Sequence, residues 1–375
     1  MIGKKIKKTI HLRQSSMPSL NDLTPYFRVI DKNKRYTNRS ELLIEFENRL
    51  ASHFNINPEN LIVTSSGFTA LSIGLSRLSL KLKDSKKKYC IVPTFTFIGT
   101  ISSIINAGLI PYFVDISNND YCLSIDSIQK EFKNKFDNVA AICPVGTFGI
   151  LPNIKDWKNF EKKIKIPVIY DLAWNFDNFP DQKINAMFSL HATKVLGSGE
   201  GGILIFKEKS IKKDLIAFSN FGLDKERQII NAGINAKQSE YHAAVGLASL
   251  DNWPKIKKKI LSIQDKYINF FDSIKHFTLM QKELKKNAWM SATIISSKKN
   301  IDILQKEFQN SNIECRKWWG NLCHQNQIFE NFPCKTLDKS IHISKSHLNI
   351  PFHTSLQNDE INRIFSIMQK VDNQV

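Results

Sequence analysis

Between residues 61 and 206 of this chain, short β-rich runs alternate with helical ones. The strand-like runs lie at 61–64, 89–93, 111–115, 139–145, 167–171 and 202–206, and helical stretches fall between several of them, such as 69–80 and 100–107. Repeated strand–helix alternation predicts an α/β protein with a mostly parallel sheet covered by helices on both faces. In such sheets the chemistry collects at the carboxyl ends of the strands. Upstream, Leu42, Leu43, Phe46, Leu50 and Phe54 recur at helical spacing and predict a helix. After about Leu250 the pattern changes. Asn252-Trp253-Pro254 is expected to break the chain, with a basic amphipathic helix over 255–274 and smaller α+β elements following. This predicts a large domain, 1–251, and a small one, 252–375.

Composition removes several classes. With 42% hydrophobic and 23% charged residues, the chain is neither disordered nor fibrous. No apolar run reaches the ~18 residues needed to cross a bilayer, and the basic start, residues 1–12, has no apolar stretch after it. A cytoplasmic protein without a membrane partner is expected. Cys90, Cys122, Cys143, Cys315, Cys323 and Cys334 form no CxxC pair and match no zinc spacing, so reduced thiols and no metal are expected. The formal charge is +18, yet only 9 of the 53 cationic residues are Arg. Nucleic-acid binding concentrates arginine for bidentate contacts, so no nucleic-acid partner is expected. The lysine runs 86–88 and 257–259 read as solvated surface. The net positive field favours anionic small molecules.

Four segments at predicted strand ends bear chemistry. Thr64-Ser65-Ser66-Gly67-Phe68-Thr69-Ala70 turns a strand into a helix with small and hydroxylic residues, which suits an anion at the helix N-terminus or a simple cap. Pro93-Thr94-Phe95-Thr96-Phe97 places two rings at a strand end. Asp171 closes a β-branched strand, where a carboxylate is costly unless a cation meets it. Lys194, in Ser189-Leu190-His191-Ala192-Thr193-Lys194, precedes the glycine-rich turn Gly199-Glu200-Gly201-Gly202. A lysine among small residues can be desolvated and near-neutral, the condition for a Schiff-base lysine. An anion cradle, a ring, an acid and a lysine in this order are the parts that hold pyridoxal phosphate (PLP).

At these segments, and at Tyr36-Thr37-Asn38, Glu45-Phe46-Glu47, Gly233-Ile234-Asn235 and Ile350-Pro351-Phe352-His353, the chain resembles the DegT/StrS sugar aminotransferases of PLP fold type I over nearly its whole length. The resemblance implies a mostly parallel seven-stranded sheet between helices and a smaller C-terminal α+β domain. It implies that Lys194 holds the cofactor covalently and carries the reacting proton, that Asp171 pairs with the pyridine nitrogen, and that Phe97 stacks on the ring. Gly67, Phe68, Thr69 and Ser189 match the phosphate site. Asn235 matches an asparagine reaching the phosphate from the neighbouring subunit, which implies a homodimer with shared sites. His324, Arg39 and Tyr36 fall where substrate-side residues are expected, Arg39 as a contact for a nucleotide phosphate. Trp174 stands where the family carries Gln or His near the cofactor's phenolic oxygen, and an indole only donates. Phe68 replaces a threonine, Ala236-Lys237 replaces Tyr-Arg, and Arg39 replaces a glycine.

The implied reaction moves an amino group from L-glutamate to C4 of a nucleotide-linked, TDP-type 4-keto-6-deoxyhexose, for O-antigen or other surface-glycan synthesis. The alternatives are C3 amination of a 3-keto isomer, a keto-inositol substrate, or an inactive PLP-binding regulator.

Overall fold

In a computed structural model, residues 8–80, 87–133, 135–179 and 183–375 are described. Residues 1–7 of the basic start and Lys86 of the first lysine run lie outside them. Two helices, α1 (Leu20–Asn33) and α2 (Glu41–His53), precede the alternating region. That region comprises β1 (Leu61–Thr64), α3 (Gly67–Leu80), β2 (Tyr89–Pro93), α4 (Ile98–Asn106), β3 (Ile110–Val114), α5 (Ile125–Phe132), β4 (Val139–Ile142), α6 (Ile154–Ile164), β5 (Ile169–Asp171), β6 (Asn185–Ser189), β7 (Gly202–Ile205) and α7 (Lys212–Phe218).

β1, β7, β6 and β5 pair in that order, as do β3, β2 and β4. Bridges Ile142–Val168 and Val145–Asp171 join β4 to β5, with the Asp171 N–H donating to the Pro144 carbonyl at 2.9 Å. The result is a seven-stranded layer in the order β1-β7-β6-β5-β4-β2-β3. Only β7 runs antiparallel to its neighbours. β1 to β5 and β7 are close to their predicted positions. β6, the layer's middle partner for β5 and β7, was not among the predicted runs. Its five residues Asn-Ala-Met-Phe-Ser lack β-branched side chains, so burial rather than propensity makes it a strand.

The predicted break at Asn252-Trp253-Pro254 is absent. One helix, α8, runs from Glu240 to Phe271 with Pro254 inside it. The proline forfeits the bond to the Leu250 carbonyl, a cost of ~3 kcal/mol. Burial of Trp253, 6% exposed and edge-on to Phe176 at 5.3 Å, anchors the turn against that cost. Lys258 and Lys259 are exposed on this helix, whereas Lys257 is half-buried and pairs with the buried Asp177 carboxylate at 2.9 Å.

Beyond α8, β8 (Thr278–Leu279), β9 (Ala292–Ile295) and β10 (His347–Ile350) form an antiparallel three-stranded sheet in the order β10-β9-β8. It carries α9 (Lys298–Asn310), α10 (Asp338–Ser346) and α11 (Asn358–Asp372). Arg316 exchanges both backbone hydrogen bonds with Asn349, at 3.1 and 2.8 Å, extending this sheet by one rung. All six cysteines are free thiols, with Cys90, Cys122, Cys143 and Cys323 buried. No described helix is long and apolar enough to cross a membrane.

Candidate active site

The carboxyl ends of β1, β2, β4, β5 and β6 open on one cavity of about 680 Å³, with Ser66, Gly67, Phe68, Phe97, Asp171, Trp174, Ser189 and Lys194 in its wall. The sequence order thus becomes a spatial cluster because each segment ends on the same edge of the sheet.

Asp171 ends β5 and is 5% exposed. Its Oδ2 accepts the Thr100 hydroxyl at 2.7 Å and its Oδ1 the Ala173 N–H at 3.1 Å. Burial pushes its pKa above the ordinary carboxylate range; those two hydrogen bonds and the Lys194 charge partly oppose this. No cation touches it among the described residues. A buried carboxylate of this kind is stabilised by a cationic N–H donor brought by a ligand.

Lys194 follows β6. Its pKa is lowered to about 7, chiefly by burial and then by the Arg13 charge, with Asp171 acting in the opposite sense. Its Nζ stands 5.1 Å from the centre of the Trp174 ring. At neutral pH a large fraction of this amine is an unprotonated nucleophile.

The cradle is built by close backbone approach. Gly202 of β7 pairs with Thr64, and a Cβ at Gly202 would lie 2.2 Å from the Ser66 carbonyl oxygen. At Gly67 a Cβ would touch Ser189 Cβ and Met187 Sδ at 3.2 Å, so the loop lies flat on the end of β6. The N–H groups of Gly67 and Phe68 open α3 without intrahelical acceptors, and Ser189 lies beside them in the cavity wall. Phe97, 60% exposed, precedes α4 at the cavity wall, where Gly99 leaves room for its ring. An anion at Gly67 and Phe68, a planar ring against Phe97 and a cationic nitrogen at Asp171 fit PLP.

Several expected residues lie elsewhere. Thr69 is not in the wall: its N–H is capped by the Ser66 hydroxyl at 3.1 Å and its own hydroxyl is engaged by Ser66 and Thr64. Arg39 does not reach the cavity. Its guanidinium grips Glu47 in a fork at 2.7 and 2.6 Å, because Glu47 is buried and a lone carboxylate there is costly. Its φ of 58° also explains why a glycine was expected at this position. Tyr36 stacks on Tyr241 at 6.1 Å, outside the wall. His324 packs against β2's end, its Nδ1 2.7 Å from the Thr94 hydroxyl. Asn235 is exposed and bridges to Asn220 on the surface, away from this chain's own cavity.

From the His324 segment it is Arg316, Trp318 and Trp319 that enter the wall. Trp319 stacks on Phe148 at 4.3 Å, and Trp318 stands edge-on to Trp174 at 5.2 Å. Sequence reasoning missed Thr100, which lies one turn beyond Thr96 on the helix after β2, and Arg13, for which no local signal exists.

A lysine held near neutrality, a buried acid across the cavity and an anion cradle on a mostly parallel sheet define an aminotransferase that uses PLP. The chain belongs to the DegT/DnrJ/EryC1/StrS aminotransferase family, whose model matches residues 21–369. A dTDP-4-amino-4,6-dideoxy-D-glucose transaminase from Shigella dysenteriae is 24% identical over 98% of this chain and 100% of its own length. A 3-oxo-glucose-6-phosphate:glutamate aminotransferase from Bacillus subtilis is 24% identical over 86% of this chain and 74% of its own. The structure of ntda from Bacillus subtilis with bound cofactor PMP superposes with a TM-score of 0.85 at 21% identity, covering 95% of this chain and 82% of that one.

Proposed function

We propose that this enzyme is a sugar aminotransferase that moves an amino group from L-glutamate to C4 of a nucleotide-linked, TDP-type 4-keto-6-deoxyhexose, in the cytoplasm, for O-antigen or other surface-glycan synthesis. The observation that carries the reading is the near-neutral Lys194 across one large cavity from Asp171. The sugar substrate is supported by the names of the Shigella and Bacillus relatives, and the glutamate donor by the latter.

When bound, PLP supplies an electron sink for the pair left behind as the donor's α-proton departs. The remaining roles belong to the chain. Lys194 Nζ, about half neutral at pH 7, would hold PLP covalently, and as a free amine it would take up the proton that leaves the donor's α-carbon. Asp171 would keep the ring nitrogen protonated, with Thr100 and Ala173 fixing the carboxylate's orientation. Gly67, Phe68 and Ser189 would bind the phosphate end, and Phe97 would cover the ring. Trp174, Trp318 and Trp319 exclude water from the wall around Lys194.

The same reading takes the enzyme as a homodimer, with Asn235 of each protomer completing the other's phosphate site. Phe221, Ile229, Ile230 and Tyr241 are exposed apolar side chains on and beside that segment, at 54, 79, 49 and 44%, and support a covered face. It also divides the chain into a cofactor-binding unit, 1–251, and a smaller unit, 252–375, joined through α8.

Holoenzyme given L-glutamate and TDP-4-keto-6-deoxyglucose should yield 2-oxoglutarate and the 4-amino sugar. Lys194→Ala should lose both the yellow colour and turnover. Reaction with the 3-keto isomer alone would overturn the choice of C4, and a colourless wild type that takes up no PLP would overturn the whole reading.

A further inference from the structure

We propose that Arg13, supported by Arg316, forms an anion subsite in the cavity wall that takes a carboxylate or phosphate group of a substrate. This rests on the cavity being the substrate site, as argued above, and adds a ligand-binding role for an arginine from the N-terminal segment.

The Arg13 guanidinium lies against a pair of edge-to-face indoles, 5.4 Å from the Trp174 ring centre and 5.3 Å from that of Trp318. Cation–π contacts of this kind hold the guanidinium at the wall and shield part of it from water. Its one described hydrogen bond runs from Nη2 to the Thr193 carbonyl, which leaves most of its five donors unused. Among the described residues no carboxylate pairs with it. The two acids in the cavity wall are otherwise placed: Asp171 is held by Thr100 and Ala173, and the Glu200 carboxylate faces His191 at 3.6 Å. Burial lowers the pKa of Arg13 to about 9, as expected of a cation removed from water without a counter-charge.

A half-buried, unpaired guanidinium is costly, and an anion supplied by a ligand offsets that cost. The planar fork suits the two oxygens of a carboxylate or phosphate. Arg316 lines the same cavity, its backbone locked to Asn349 of β10. Lys194 Nζ and the Arg13 guanidinium both stand within 5.4 Å of the centre of the Trp174 ring. The anion therefore binds close to the reacting amine. A donor carboxylate and an acceptor phosphate share this chemistry, and the test separates them.

The full-length holoenzyme is titrated with glutarate and, separately, with inorganic phosphate, by calorimetry and tryptophan fluorescence. Binding of at least one anion is expected, with a fluorescence change from Trp174 and Trp318. Arg13→Met should weaken it roughly 10- to 100-fold, the worth of a charge-assisted hydrogen bond. Arg13→Lys, which keeps the charge without the fork, should fall between, and it serves as the reference should the Met variant fold poorly. Loss confined to glutarate assigns the subsite to the amino donor, and loss confined to phosphate assigns it to the acceptor. No anion binding by wild type, or equal binding by the variants, overturns the proposal. Neither result depends on Lys194 chemistry, so a failure here is distinct from a failure of the aminotransferase reading, which the colour of Lys194→Ala tests.

Discussion

Arg39 provides a sharp test because sequence and structure give it different work. The family resemblance expects a glycine there, and the arginine in its place is read from sequence as a contact for a nucleotide phosphate. The structure pairs it instead with Glu47, the two side chains 18 and 3% exposed, and Glu47 also accepts the Val63 N–H at 2.9 Å. The pair therefore ties α2 to β1 at the edge of the layer. Arg39→Ala leaves a buried carboxylate without its fork, which costs about 3–5 kcal/mol. The lower end is expected, since Lys212 Nζ remains 3.9 Å from Glu47. Arg39→Gly should lose about 1 kcal/mol less than Ala, because φ is 58° at this position. The double variant Arg39→Ala, Glu47→Gln should recover much of the loss, since the glutamine keeps an acceptor for Val63 without the charge. Urea denaturation at constant m reads all three. KM for the acceptor should stay within about twofold of wild type, as no transition-state or ground-state contact is removed. An unchanged urea midpoint with a raised KM would refute the reasoning and return Arg39 to the substrate.

Two further predictions concern the site. Lys194, at about 7 rather than 10.5, should be about half neutral at pH 7, against roughly 3 parts in 10,000 for an ordinary lysine. Capture of an aldehyde by Lys194, trapped with borohydride and read by mass spectrometry, should thus rise with pH with a midpoint near 7 and level off above about pH 8. Asp171→Asn, which removes the charge that favours the ammonium, should move the midpoint down; a wild-type midpoint near 10 would contradict the burial argument. Gly202→Ala would bring a Cβ to 2.2 Å from the Ser66 carbonyl oxygen and 2.6 Å from the Gly67 nitrogen, both backbone atoms. The cradle must shift, so PLP affinity should fall at least about tenfold by titration, and unchanged affinity would remove the cradle from the phosphate site.

The sheet was legible because its strands are buried on both faces and therefore read as continuous apolar runs. Where local pattern and burial diverge, the reading failed. β6 is a strand because it is wedged between β5 and β7, and nothing in Asn185–Ser189 says so. The Asn252-Trp253-Pro254 triplet carries local signals for a break, and a tertiary contact, the seat of Trp253 against Phe176, overrides them. Local propensity competes with a few kcal/mol of burial and loses.

The candidate site divides along the same line. Asp171, Lys194, Phe97 and the Gly67-Phe68 turn were readable because each sits at the end of its own strand, where topology alone brings them together. Arg13 and Trp318 were not, because they reach the cavity from segments about 300 residues apart in the chain. Each borrows its position from another element, Arg13 from the Thr193 carbonyl and Trp318 from the Asn349 side chain of β10. Trp174 alone reads as a lost hydrogen-bonding residue; beside Arg13 and Trp318 it becomes one of two rings that a guanidinium rests against. A residue that breaks a family pattern is thus best interpreted through what has moved in beside it, and here that neighbour is a cation awaiting an anion.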